Sequence, residues 1–160
     1  MLVRAAGEED LAAIAAIYDR EVALSVSTFD LEPRPLAYWE TRLSSTEPGD
    51  HLLVATEGDQ VLGYAYSSSY RPRPGYRHTR ETSIYLHHGS RGQGIGRQLY
   101  PALLSEVRAA GVRSVLAVVA LPNDASERLH LACGFERLGV MKEVGRKFDR
   151  WIDTAWYQLR

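Results

Sequence analysis

The sequence predicts an α/β (α+β) fold, a mixed and mostly antiparallel central sheet flanked by helices. Three observations carry that expectation. Apolar residues switch between helical spacing and strand alternation in the order β-α-α-β-β-β-α-β-α-β-β. A Gly58-Asp59 turn joins two strand-like runs, 51–57 and 61–66, into a hairpin. Ser114–Ala120 is a nearly unbroken apolar run, which suits a strand covered on both faces and paired in parallel with its predecessor across a helix.

Each element has its own signal. Residues 2–5 read as a short first strand. Glu8, Glu9 and Asp10 then place negative charge where a helix N-terminus favours it. Leu11, Ile14, Ile17 and Tyr18 recur at helical spacing, predicting a helix to about Val22. A second helix is expected over 35–43, with Leu36, Trp39 and Leu43 on one face. The loop between them carries Thr28 and Phe29, which either cover a substrate or plug the core. In the strand at 81–86, Glu81, Ser83 and Tyr85 share one face, and Thr82, Ile84 and Leu86 the other. Leu99, Leu103 and Val107 mark a helix ended by Gly111. Pro101 lies within it, where proline removes a hydrogen bond and costs about 3 kcal/mol. That helix therefore bends, or becomes regular late. Asn123 or Asp124 caps a further helix, and the alternating tail, 138–148 and 151–159, closes the sheet as a pair of strands.

Composition sets the outer bounds. The 160 residues suit one domain over 1–160, burying roughly 70% of the unfolded chain's surface. With 45% hydrophobic residues, 24% charged residues and a net charge of −1, the chain reads as a soluble globular protein, not a general nucleic-acid binder. The longest apolar run, 11–18, is too short to span a bilayer, and no signal peptide precedes it. The single cysteine, Cys133, excludes an internal disulfide and fits a reducing compartment, so a cytoplasmic location is expected.

The chemistry gathers around Arg91-Gly92-Gln93-Gly94-Ile95-Gly96, between a strand and a helix. Glycines allow positive φ and close approach of backbone amides to a ligand. The helix start adds free N–H groups and partial positive charge, and Arg91 and Arg97 add full charges. Together they form an anion site suited to a phosphate or diphosphate. A Walker A loop is excluded because Ile95 and Gly96 stand where Lys and Ser or Thr are required. The dinucleotide fingerprint is excluded because Arg97 takes the place of its third glycine.

Upstream, residues 70–80 hold four arginines, a histidine and two tyrosines. Arginine's planar fork matches carboxylates and phosphinates, so Arg71, Arg73 and Arg77 are candidate acceptor ligands; a solvated loop is the plainer reading. Glu81 is the one acidic residue between Asp59 and Glu106. It is a candidate general base, with a salt bridge to Arg77 or Arg80 as the structural alternative. His130 is either structural or catalytic, and Cys133 belongs to the core.

The R-x-x-G-x-G run resembles the acyl-coenzyme A pyrophosphate loop of the GNAT (GCN5-related N-acetyltransferase) family. The element order agrees over essentially the whole chain, as do Asn123 and Gly134-Phe135. Within the family, Glu81-Thr-Ser-Ile-Tyr-Leu, Leu121-Pro-Asn-Asp-x-Ser-x-Arg-Leu-His130, Phe148-Asp-Arg-Trp-Ile-Asp153 and Tyr70-Arg-Pro resemble phosphinothricin and methionine sulfoximine acetyltransferases.

The resemblance implies the acyl-CoA N-acyltransferase fold, with a splayed parallel strand pair, and direct transfer of acetyl from acetyl-CoA to a small amine, without a metal. It implies cofactor contacts from Ile84, Tyr85, Leu86, Arg91, Gly92, Gln93, Gly94, Ile95, Gly96, Arg97 and Asn123. Phe29, Arg71, Pro72, Arg73, Arg77 and Thr82 are the implied substrate contacts, and Glu81 and His130 the catalytic pair. His130 stands where many members carry a tyrosine acid, in keeping with the subgroup. A homodimer is implied, with no nucleic-acid or membrane partner. The alternatives are a non-catalytic acyl-CoA sensor, or an enzyme acting on a protein N-terminus or polyamine; the arginines disfavour polyamines by repulsion.

Overall fold

A computed structural model describes residues 1–160. Seven strands form one sheet: β1 (Leu2–Ala5), β2 (Leu52–Glu57), β3 (Gln60–Ser69), β4 (Thr79–Leu86), β5 (Ser114–Ala120), β6 (Glu136–Lys147) and β7 (Arg150–Leu159). Their spatial order is β1-β2-β3-β4-β5-β7-β6. Only β4 and β5 pair in parallel; β7 inserts between β5 and β6.

Helices cover both faces. Helices α1 (Leu11–Leu24) and α2 (Leu36–Leu43) pack on one face, where Ile14, Tyr18, Trp39, Val54 and Tyr64 form a core. Helix α3 (Gly96–Ala109) packs on the other with Leu99, Tyr100, Leu103 and Val107 against Leu53, Ala65, Val115 and Ala117. Strand alternation explains the division: Val54 and Tyr64 face α1 and α2, while their neighbours Leu53 and Ala65 face α3. The division expected for β4 holds as well, with Tyr85 against the first core and Ile84 and Leu86 against the second.

Several strand ends shift by one to three residues from the sequence reading, and the helix starts and ends differ for physical reasons. Glu8–Asp10 form a 3₁₀ turn before α1, because the Asp10 carboxylate accepts from the Gly7 amide at 2.8 Å and from Arg4 at 2.6 Å. Helix α1 runs two residues past Val22, to Leu24. Helix α3 starts at Gly96, directly behind the glycine turn, and runs through Pro101. The ring lies on the exposed side, and the only interior bond it forgoes is the one to the Arg97 carbonyl.

Helix α3 and helix α4 (Asp124–Ala132) end alike. Gly111 and Gly134 have φ of 82° and 87°. Val112 and Gly111 N–H donate to the Val107 and Arg108 carbonyls, and Phe135 and Gly134 N–H to those of His130 and Leu131, the paired bonds of a Schellman cap at each helix. Phe135, just past the second cap, is 3% exposed and stands beside the His130 ring.

Candidate active site

Strands β4 and β5 are paired over only three steps, ending at Glu81 opposite Leu116. Beyond that vertex they part. The gap is a cavity of about 320 Å³, walled by residues 82–86 on one side and 118–120 on the other. The β4 edge facing it has no strand partner past Glu81, so its backbone groups are open to an extended ligand.

At the mouth lies the glycine turn. Gly92 and Gly94 take φ of 76° and 77°, a conformation that side chains resist. The backbone amides of residues 91–96 donate to no acceptor in the protein. Six successive free N–H groups ahead of a helix make a nest for an anion, and their fit to a diphosphate is good. The third glycine has another role. Gly96 has ordinary φ and is buried; a Cβ there would sit 3.1 Å from Leu129 Cδ2, so it lets α3 pack close to α4. Ile95 is 3% exposed and its side chain belongs to the core. Gln93 closes the turn by donating to the Gly89 carbonyl at 3.0 Å. Arg97 is exposed and outside the lining, whereas Arg91 reaches the lining and pairs with Glu21 of α1.

Helix α4 brings Asn123 and His130 to the opposite wall. The Asn123 side-chain oxygen caps the helix by accepting from Ser126 N–H at 3.2 Å. That leaves its amide protons for the cleft. His130 is 4% exposed and lies among Tyr100, Phe135 and Tyr157. Burial pushes its pKa down, against a smaller opposing effect of its backbone hydrogen bond. Nδ1 lies 2.7 Å from the Ser126 carbonyl, which assigns the proton to Nδ1 and leaves Nε2 as an acceptor. Thr82 also lines the cleft; its hydroxyl is 2.8 Å from that of Tyr100.

Glu81 stands at the vertex, half-buried, one residue before the lining begins. It forms no ion pair, because Arg80 turns the other way and meets Asp50 at 3.0 Å. Burial pushes the Glu81 carboxyl up, and the positive charge of Arg71 partly offsets that rise. Arg71, Pro72, Arg73 and Arg77 lie on the exposed connection between β3 and β4, outside the cleft lining. Phe29 is outside it too, against Gly145 of β6. Sequence reasoning missed Glu21, Ser25 and Ser27, which line the cleft. The signal for Glu21 was present: it is a carboxylate four residues after Ile17, on the buried stripe of α1.

A splayed parallel pair with an amide-lined turn at its mouth is an arrangement suited to an extended ligand that ends in a diphosphate. The model of the acetyltransferase (GNAT) domain matches residues 3–156. A phosphinothricin N-acetyltransferase of Streptomyces coelicolor is 42% identical, over 98% of this chain and 94% of its own. An L-methionine sulfoximine/L-methionine sulfone acetyltransferase of Pseudomonas aeruginosa is 39% identical, over 98% and 92%. Among solved structures, a ribosomal-protein-alanine N-acetyltransferase of Brucella melitensis superposes with a TM-score of 0.94 at 38% identity, covering 99% of both chains. A phosphinothricin acetyltransferase of Sinorhizobium meliloti in complex with acetyl-CoA gives 0.93 at 40%, covering 99% and 86%. The chain belongs to the GNAT acetyltransferase family.

Proposed function

We propose that the chain transfers an acetyl group from acetyl-CoA to the α-amine of a small anionic amino acid or analogue. The acceptor is of the kind named for its relatives, phosphinothricin or methionine sulfoximine and sulfone, and Glu81 is the general base. One observation carries this reading. An unpaired carboxylate, raised in pKa by burial, stands at the vertex of the splayed strands. An ammonium must lose a proton before its nitrogen attacks, and a carboxylate with elevated pKa receives that proton, directly or through a water.

The other residues take supporting roles. The amides of 91–96 hold the diphosphate, the open β4 edge at Ile84, Tyr85 and Leu86 receives the pantetheine arm, and Asn123 contributes its amide. A strand N–H in that segment stabilises the developing negative charge on the thioester oxygen. His130, neutral and with Nε2 as acceptor, suits a hydrogen-bond or proton-accepting role better than that of an acid. Arg71, Arg73 and Arg77 draw in the anionic acceptor.

A second reading rests on the fit to the Brucella structure, whose name gives a ribosomal-protein alanine as acceptor. Thiol release from acetyl-CoA, measured over phosphinothricin, methionine sulfoximine, ordinary amino acids and an alanine-led peptide, separates the two. Preference for the peptide would overturn the first. We also propose a homodimer, which would cover the exposed Leu138, Met141, Val144 and Trp151 of β6 and β7. Light scattering at twice the 17.9 kDa chain mass tests it.

A further inference from the structure

The loop between α1 and α2 borders the cleft through Ser25 and Ser27. It has no regular secondary structure of its own, so other elements must hold it in place. From the helix side, Tyr18 Oη lies 2.7 Å from Thr28 Oγ1 and donates to Asp30 Oδ2 at 2.6 Å. A second hold comes from a distant segment, the far end of β6.

Gly145 and Lys147 are buried there, in a strand whose other residues are mostly exposed. A Cβ on Gly145 would lie 2.3, 2.5 and 2.7 Å from three ring atoms of Phe29. Gly145 does not have positive φ, so the ring, and not the backbone, demands glycine. Two residues on, Lys147 Nζ donates to the Thr28 carbonyl at 3.0 Å and to the Glu21 carbonyl at 3.3 Å. It has no carboxylate partner within ion-pair distance, although it is 4% exposed. Burying an ammonium against two backbone carbonyls is costly, and the contact ties β6 to both α1 and the loop.

The hairpin is bent to make this contact. Met141 pairs with Thr154 and Gly145 with Ile152, so β6 carries extra residues against β7. Glu143 takes φ of 53° in that bulge. Asp153 fastens it, accepting from Glu143 N–H and Lys142 Nζ, each at 2.9 Å. Bulges of this kind re-aim the rest of a strand.

We infer that Gly145 and Lys147 are positioning residues that strap the 25–30 loop over the cleft, and that acceptor affinity is set through this contact from the β6–β7 hairpin. The inference rests on the proposed acetyl transfer, since it assigns the loop to the acceptor.

The test compares Gly145→Ala and Lys147→Met with the wild type in steady-state kinetics and in amide exchange of the loop. Both variants should raise the acceptor KM by about fivefold or more, while the acetyl-CoA KM moves less than about twofold. Amide exchange within 25–30 should quicken in both. Phe29→Ala combined with Gly145→Ala should be no worse than Phe29→Ala alone, because the clash then has no object. Lys147→Met adds no bulk, so it reads the strap even if Gly145→Ala fails to fold. An unchanged acceptor KM, a parallel rise in both KM values, or unchanged loop exchange would overturn the inference. If the wild type acetylates no amine at all, the proposed function falls, while loop exchange still decides whether the strap exists.

Discussion

The Glu21 carboxylate pairs with the Arg91 guanidinium, joining the first helix to the anion-binding turn. Glu21 is buried and Arg91 about half exposed. The same carboxylate accepts from Ser25 Oγ at 2.6 Å, at the start of the cleft-bordering loop. One buried acid thus touches the donor side and the loop side of the cleft. On the proposed function, a diphosphate bound at the turn would compete with Glu21 for Arg91. Glu21→Gln should therefore tighten acetyl-CoA binding by about three- to tenfold at low salt, with the gain shrinking as salt is added. Titration calorimetry reads it; weaker binding would show that Glu21 aligns Arg91 and does not compete for it.

The glycines of the turn should separate by role. At Gly94 there is space for a side chain but φ of 77°, so Gly94→Val costs about 1–2 kcal/mol locally and distorts the amide nest. Acetyl-CoA binding should be lost with the fold retained by circular dichroism. At Gly96 the conformation is ordinary but a Cβ would crowd Leu129 at 3.1 Å. Gly96→Ala must push Leu129 aside by a few tenths of an ångström while gaining helix propensity, so stability should move by less than about 1 kcal/mol and acetyl-CoA binding should be kept. The reverse pattern would mean that the nest and the packing contact have been exchanged.

His130 gives the acid side of the stability curve a definite sign. Its folded pKa lies below the ordinary value of about 6.5, because burial disfavours the charged ring. Below about pH 6.5 the unfolded chain takes up a proton that the folded protein refuses, so this residue makes stability fall as pH drops toward the folded pKa. His130→Gln should flatten that fall in denaturant titrations between pH 7 and 5. A slope unaltered by the substitution would assign the acid sensitivity elsewhere.

Glu81 has the opposite sign. Its folded pKa is above that of a free carboxyl, so the folded state holds a proton that the unfolded chain has lost, and stability declines as pH rises through that window. At neutral pH the ionised side chain is a liability to the fold. Glu81→Gln should raise Tm by about 1–3 °C while lowering activity, the trade expected if this half-buried carboxylate is the base. A fall in Tm would mean the carboxylate has a stabilising partner.

Much of this was legible because it is local. Apolar periodicity located the helices, and alternation or an unbroken apolar run located the strands. The glycine turn, Asn123 and the cap at Gly111 followed from residue types with narrow backbone or capping preferences. What escaped is tertiary. No spacing rule relates Gly145 to Phe29, 116 positions apart in the sequence, and the bulge that aims the hairpin depends on Asp153 reaching across the pair. The equal weight given to three glycines also failed for this reason: Gly96 answers to Leu129, a neighbour only in space. Pro101 was overweighted because propensity does not reveal that its ring lies on an exposed side of a helix held by its other face.

The most direct test is the pH dependence of kcat/KM for phosphinothricin with acetyl-CoA, in wild type and Glu81→Gln. The wild-type rate should climb with pH through the elevated pKa of Glu81 and then level. The variant should be slower by about 10²- to 10⁴-fold near neutrality, with the deficit narrowing as free amine accumulates. Equal rates and superimposable profiles would contradict the assignment of Glu81 as the base that prepares the amine.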